Sequence, residues 1–174
     1  MNIYLIRHGR QNSTLCNVDV ELSKEGREQA DLVGKRLKTY EIDAVYSSQL
    51  LRAKETADII NRYLQKPRYI DERWQEADFG GMTGLTNDEL KEKYGDFLAK
   101  RAQMSEDVPY PGGGENCQMV FERSYEALKG FTEENYKNVC VVTHGGVLRA
   151  ILTGLLGADY AKQMADKLAP FGGV

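Results

Sequence analysis

Val139-Cys140-Val141-Val142-Thr143 is followed directly by His144-Gly145-Gly146 in this chain. The first five residues form a short, uncharged run rich in β-branched side chains, which is typical of a fully buried strand. The two glycines end that strand. An apolar helix is predicted after them, from about Val147 to Leu156. This strand–turn–helix stretch decides the fold, because the rest of the chain repeats the same alternation.

Upstream of it, strands and helices follow one another in turn. Strands are predicted at residues 2–6, 43–46 and 68–71, the last as an edge strand. Helices are predicted at about 24–40, 49–64, 87–104 and 115–136, the first with Ser23 as its N-cap. Alternation with long crossovers predicts an α/β fold: a three-layer sandwich of a mainly parallel sheet with helices on both faces. We expect one domain over residues 1–174, with residues 74–114 as a substrate-specificity insertion.

Composition narrows the classes of function. The net charge of −3 argues against a nucleic-acid-binding surface, and no apolar run approaches the length of a membrane helix. Three cysteines without a CxxC pair favour a reducing cytoplasm over a disulfide framework or a zinc site. With only two histidines, a metal site built on several histidines is unavailable, and we expect no metal centre. We expect no cofactor either.

Several predicted strands end at residues of chemical interest. Arg7 and His8 follow the first strand, Ser47 and Arg52 follow the second, and His144 follows the last. Because ligands bind beyond the carboxyl ends of parallel strands, we expect both histidines in one cleft. Arginine pairs with two phosphate oxygens at once, and neutral imidazole is a nucleophile toward phosphorus. The set therefore predicts a phosphate site, with phosphate, sulfate or vanadate as its expected ligands.

Six motifs in order resemble the histidine phosphatase superfamily, the phosphoglycerate-mutase-like proteins, and favour its phosphatase branch. The motifs are Leu5-Ile6-Arg7-His8-Gly9, Leu22-Ser23-Lys24-Glu25-Gly26, Tyr46-Ser47-Ser48-Gln49-Leu50-Leu51-Arg52-Ala53, Glu76-Ala77-Asp78-Phe79-Gly80, Gly113-Gly114-Glu115 and Val142-Thr143-His144-Gly145-Gly146. The resemblance runs from the first strand to about residue 155.

The resemblance implies roles for five residues. His8 is the nucleophile that becomes phosphohistidine, and Arg7, Arg52 and His144 hold the phosphoryl oxygens. Glu76 is the general acid and then the base, which implies best activity at mildly acidic to neutral pH. Two other carboxylates compete for that role in the same segment, Glu72 and Asp78. The serines at 47 and 48 are expected to cap the helix that carries Arg52.

The sequence departs from the family pattern in three places. The usual phosphate-contacting Asn falls near Thr14, so Asn12 is the candidate substitute. Only Gly84 keeps the pattern of the loop that follows Phe79-Gly80. The chain ends at Phe171–Val174, about where the family adds another strand, so we expect a sheet that lacks its last strand or strands. An exposed sheet edge would favour a homodimer.

Three functions remain open at the level of sequence. The first is a phosphomonoester hydrolase acting on a small phosphorylated metabolite such as a sugar phosphate, a cobalamin-pathway nucleotide phosphate or a phosphoglycerate, with protein phosphohistidine as a further candidate. The second is a cofactor-dependent phosphoglycerate mutase, disfavoured because residues 85–111 contain one arginine, Arg101. The third is a non-catalytic module that binds a phosphorylated ligand or a protein.

Overall fold

The computed structural model describes residues 1–103 and 106–158. Their contacts define two units. The first unit comprises Met1–Ser13, Asp19–Gln75 and Glu126–His144. The second comprises Thr14–Val18, Glu76–Tyr125 apart from 104–105, and 145–158.

The first unit is built on a four-stranded parallel sheet. Its strands are β1 (Asn2–Arg7), β2 (Ala44–Ser47), β3 (Arg68–Ile70) and β4 (Asn138–Thr143), in the order β1-β4-β2-β3. The predicted α/β fold with a mainly parallel sheet is confirmed, and so is the edge position of β3. All four residues of β4 from Val139 to Val142 are fully buried, as the uncharged run predicts.

Helices α1 (Lys24–Leu37) and α2 (Leu51–Leu64) pack against each other in the first unit. The side chain of Ser23 accepts a hydrogen bond from the Gly26 N–H, so the predicted N-cap is confirmed. Both helices turn apolar residues toward the sheet. One core cluster joins them to β2 and β4 through residues Leu37, Ile42, Val45, Ala53, Ala57, Ile60, Cys140 and Val142.

The second unit contains α3 (Asn87–Ala102) and α5 (Gly145–Leu155). Thr86 and Glu89 form a reciprocal capping box at the start of α3. Helix α4 (Cys117–Gly130) contributes residues to each unit and ends earlier than predicted. Residues Phe131–Glu133, which were predicted to belong to this helix, form a 3₁₀ turn instead.

No helix in the described part of the chain has the length and apolar character needed to span a bilayer. All three cysteines are free thiols. The expectation of a missing last strand concerns residues beyond 158, which lie outside the described residues.

Candidate active site

The two histidines of the chain follow neighbouring strands. Arg7 pairs with Thr143 in the parallel register of β1 and β4, and the next backbone bond runs from the His8 N–H to the Thr143 carbonyl, 2.9 Å. The rings of His8 and His144 consequently lie 5.0 Å apart between centroids, at 55°. The prediction that both histidines share one edge of the sheet is confirmed.

Two contacts define which nitrogen of His8 carries the proton. Nδ1 lies 2.7 Å from the carbonyl oxygen of Gly9, and a carbonyl only accepts, so Nδ1 is protonated. Nε of Arg52 donates to Nε2 of the same ring at 3.3 Å, so Nε2 carries the lone pair. The ring thus presents an unprotonated nitrogen beside a guanidinium.

The surroundings of His8 also keep its ring neutral. Its pKa is lowered from 6.5 to about 4, mainly because burial disfavours the charged form. The contact with Gly9 opposes this shift, and the positive charges of Arg52 and Arg7 add to it. At neutral pH the imidazole is therefore in the state that a nucleophile needs.

Arg52 lies in the first turn of α2, and its side chain is buried with 2% of its surface exposed. The prediction that the serines at 47 and 48 cap this helix is wrong. The N-cap residue is Leu50, which makes no side-chain capping bond, and the Asp19 carboxylate accepts from the N–H of Leu51 at 2.6 Å. The first N–H of the helix is thus satisfied from the loop before Leu22, and Ser48 has a different main partner.

That partner is His144. Oγ of Ser48 lies 2.7 Å from Nε2 of His144, and both side chains are fully buried. The N–H of Leu50 donates to the same hydroxyl at 3.2 Å. The hydrogen bond at Nε2 therefore fixes the orientation of the His144 ring.

The loop after β1 is held by a close approach of two backbones. A Cβ on Gly9 would lie 2.3 Å from the carbonyl oxygen of Gly26. A side chain on either glycine would therefore clash with the backbone of the other segment. The Gly9 N–H donates to Oγ1 of Thr56 at 3.0 Å, and that hydroxyl donates to the Arg52 carbonyl at 2.7 Å. Thr56 therefore ties the His8 loop to the helix turn that carries Arg52.

Three polar residues near the start of the chain have different contacts. Arg7 is exposed at the end of β1 and close enough for its charge to lower the pKa of His8. The exposed amide of Asn12 donates to Oε1 of Glu21 at 3.1 Å. Arg10 pairs with Glu25 at 2.7 Å. The structure thus gives Asn12 a carboxylate partner, which weakens the case that this amide contacts phosphate.

Glu76 belongs to the second unit and lies at the start of α5. Its Oε2 accepts from the Gly146 N–H at 3.2 Å, and its Oε1 accepts from the Ala77 N–H at 2.9 Å. The competing Asp78 instead accepts from the Gly80 N–H at 2.8 Å, closing its own turn. Of the three candidate carboxylates, Glu76 is therefore the one whose carboxyl group accepts a hydrogen bond from α5.

Sequence reasoning missed the roles of three residues. Thr56 stands one helical turn after Arg52, Ser48 bonds His144, and Gly146 contacts the Glu76 carboxyl. All three belong to motifs quoted above or lie beside them. The i+4 spacing of Arg52 and Thr56 was the one available signal, since it places both on one face of the helix.

A model of a known protein family matches most of the chain. The model of the histidine phosphatase superfamily (branch 1) matches residues 3–169. The chain belongs to this superfamily. The family resemblance and the predicted class of enzyme, a histidine phosphatase, are both confirmed.

Relatives in this superfamily include phosphatases and mutases. The chain is 34% identical to the metal-independent phosphoserine phosphatase of Arabidopsis thaliana, over 94% of this chain and 72% of that one. It is 31% identical to the 2,3-bisphosphoglycerate-dependent phosphoglycerate mutase of Nitrobacter winogradskyi, over 96% and 86%. Relatives of both activities therefore match most of this histidine phosphatase.

Solved structures show the same fold. The mycobacterial glucosyl-3-phosphoglycerate phosphatase superposes with a TM-score of 0.81 at 27% identity, covering 91% of this chain and 81% of that one. That protein has also been solved in complexes with VO3 and with inorganic phosphate.

Proposed function

We propose that this histidine phosphatase hydrolyses monoesters of small phosphorylated metabolites through a phosphohistidine formed on Nε2 of His8. The observation that carries the proposal is the state of that ring. Its pKa of about 4 leaves it neutral, Nδ1–H donates to the Gly9 carbonyl, and Nε2 carries the lone pair. No metal is needed to produce such a nucleophile, so we propose a metal-independent reaction.

In the first step, the Nε2 lone pair forms a bond to phosphorus, and the bond from phosphorus to the ester oxygen breaks. The leaving oxygen takes the carboxyl proton of Glu76 and departs as an alcohol. Without that proton an alkoxide would have to leave, which is far slower. The proton stays on Nδ1, which still donates to the Gly9 carbonyl, so the phosphorylated ring is held in the same orientation.

In the second step, water attacks the phosphorus of phosphohistidine. The Glu76 carboxylate takes one proton from that water, and the electron pair of the P–N bond returns to Nε2. Inorganic phosphate is released, and the Glu76 carboxyl is again protonated. One carboxyl group thus serves as acid and then as base, and the cycle returns both residues to their starting forms.

Three cationic or donor groups hold the phosphoryl oxygens in this proposal. Arg52 already contacts Nε2 of His8, so its guanidinium is within reach of a phosphoryl group on that nitrogen. Arg7 adds a second charge close to the ring. In the proposed arrangement the Ser48 hydroxyl donates to Nε2 of His144, and the Nδ1–H of His144 donates to a phosphoryl oxygen of the bound ester.

A mutase is the second candidate, because mutases are among the relatives that match most of the chain. An assay separates the two. Purified enzyme is given phosphoserine, glucosyl-3-phosphoglycerate and each phosphoglycerate, while released phosphate and 2-/3-phosphoglycerate interconversion are both measured. We expect phosphate release from at least one ester, and no release by His8→Ala. Interconversion that outpaces phosphate release would favour the mutase.

If none of these esters and no p-nitrophenyl phosphate is turned over, but phosphate or vanadate binds tightly, the protein is instead a non-catalytic module.

We further propose a cytoplasmic location, which the three free thiols support. A homodimer stays a prediction, to be measured by sedimentation. The same holds for a single domain with a specificity insertion at residues 74–114.

A further inference from the structure

The carboxyl group of Glu76 occupies space that a side chain at position 146 would fill. A Cβ built on Gly146 would lie 2.3 Å from Oε1 of Glu76 and 3.1 Å from the carboxyl carbon. The backbone N–H of the same glycine donates to Oε2 at 3.2 Å. The carboxyl group is thus pressed against the first turn of α5, which only glycine permits.

The backbone that carries Glu76 is fixed by four hydrogen bonds. The Arg123 guanidinium donates to the Glu76 carbonyl at 3.2 Å, and the Asn17 amide donates to the Ala77 carbonyl at 3.1 Å. The Asp78 N–H donates to the Glu115 carboxylate at 2.9 Å, and the Glu115 N–H donates to the Asp78 carbonyl at 2.9 Å. Arg123 and Glu115 also form an ion pair at 2.7 Å, so two of the groups that hold this backbone are bound to each other.

Because the backbone is fixed, a methyl group at position 146 displaces the Glu76 carboxyl and leaves the fold in place. The atoms it meets are those of the carboxyl group, at the end of a flexible side chain. The backbone of Gly146 also has no positive φ, so alanine is compatible with its conformation. The substitution therefore acts on the orientation of one functional group.

We propose that Gly146 is a positioning residue for the general acid. Its missing side chain and its N–H together set the orientation in which Glu76 gives its proton to the leaving oxygen. This inference rests on the proposed role of Glu76. Gly146 itself takes no part in bond making.

Leaving groups of different basicity test the inference. An alkyl phosphate such as phosphoserine needs a proton on the leaving oxygen, whereas p-nitrophenyl phosphate releases a stable phenolate and needs little help. We expect Gly146→Ala to lower kcat/KM for the alkyl ester by about 100-fold, the lower end of what general acid catalysis supplies. For p-nitrophenyl phosphate we expect a change of less than about threefold, since the proton contributes little there.

Two comparison variants make the result specific. Gly95→Ala in α3 is the matched control, because a Cβ there meets no atom within 4 Å, and we expect no change with either ester. In a Glu76→Ala background the clash is gone, so adding Gly146→Ala should cause no further loss. Equal losses with both esters, or additive losses in the double variant, would overturn the inference.

The outcomes also separate this inference from the proposed function. The comparison uses kcat/KM, because the second step, in which Glu76 acts as base, is common to both esters and affects kcat alike. If Glu76→Ala lowers kcat/KM equally for both esters, or not at all, Glu76 is not the acid, and the proposed mechanism fails with the inference. If Glu76→Ala slows only the alkyl ester but Gly146→Ala does not, the positioning role alone is wrong. Should Gly146→Ala fail to fold, the double variant with Glu76→Ala must fold; a double variant that also fails would place the clash elsewhere and reject the inference.

Discussion

Arg52 donates through Nε to Nε2 of His8, the nitrogen that lies opposite the contact between Nδ1 and Gly9. The two contacts allow one neutral tautomer, and burial lowers the pKa of the ring to about 4. Arg52, the proposed phosphate-binding arginine, therefore helps to keep His8, the proposed nucleophile, neutral near pH 7. The chemistry of the site follows from this pair.

The protonation state of His8 can be measured directly. In ¹⁵N-labelled protein without ligand, we expect the His8 ring to show the Nδ1–H tautomer at pH 7 and to titrate near pH 4. His8→Asn identifies the signals by their loss. A ring that titrates near 6.5, or that carries its proton on Nε2, would contradict the geometry described above.

The same shift predicts how stability changes with pH. The unfolded chain takes up a proton on His8 below pH 6.5, while the folded chain does so only near 4, so folding is penalised as pH falls through this window. A shift of this size is worth about 3 kcal/mol in the free energy of unfolding. Urea titrations at pH 7 and pH 4.5 should show wild type losing about 2–3 kcal/mol more than His8→Asn. Equal losses would show that His8 titrates normally in the folded state.

Replacing Arg52 by lysine tests the geometry of the cation separately from its charge. The ammonium of lysine cannot contact Nε2 of His8 and pair with two phosphoryl oxygens as a planar guanidinium does. We expect kcat/KM to fall by about 10²-fold, the cost of losing one well-placed donor. Arg10→Lys, in an exposed ion pair with Glu25, is the control and should stay within about twofold. Similar values for both variants would remove Arg52 from the site.

Ser48 and Ser47 are adjacent buried serines with different partners. Ser48 contacts His144, whereas Oγ of Ser47 donates to the Ser48 carbonyl and accepts from Arg68. Ser48→Ala should therefore lower kcat by roughly 10- to 100-fold, because His144 loses its orientation as a donor. Ser47→Ala should lower stability by about 1–3 kcal/mol, because Nη2 of Arg68 loses its hydrogen-bond acceptor, and should leave kcat near wild type. Thermal unfolding and steady-state kinetics on both variants check this, and the reverse pattern would reject the assignment.

Much of the sheet could be predicted from local pattern. The uncharged run of β4 encodes a buried strand directly, the β-rich run that ends at Arg7 encodes a half-buried one, and parallel strands bring their carboxyl ends to one edge. His8, Arg52 and His144 follow from that rule without any knowledge of side-chain geometry. Their meeting was therefore predictable.

What could not be predicted depends on long-range hydrogen bonds. The cap of α2 comes from Asp19, which is separated from Leu51 by the whole of α1 and β2, so a local motif assigned it to the wrong serines. The orientation of Glu76 likewise depends on Gly146, far away in the chain. Such contacts leave no periodic signal in the sequence, because each joins one loop residue to the first turn of a helix.

A rapid-quench experiment tests the proposed phosphohistidine most directly. Enzyme is mixed with a ³²P-labelled ester for milliseconds, quenched in base, digested and sequenced by mass spectrometry. The mechanism predicts phosphate on the peptide that contains His8, stable in base and lost in acid, and absent from His8→Ala. Turnover at full rate with no label on that peptide, or with label retained in the His8→Ala variant, would contradict it.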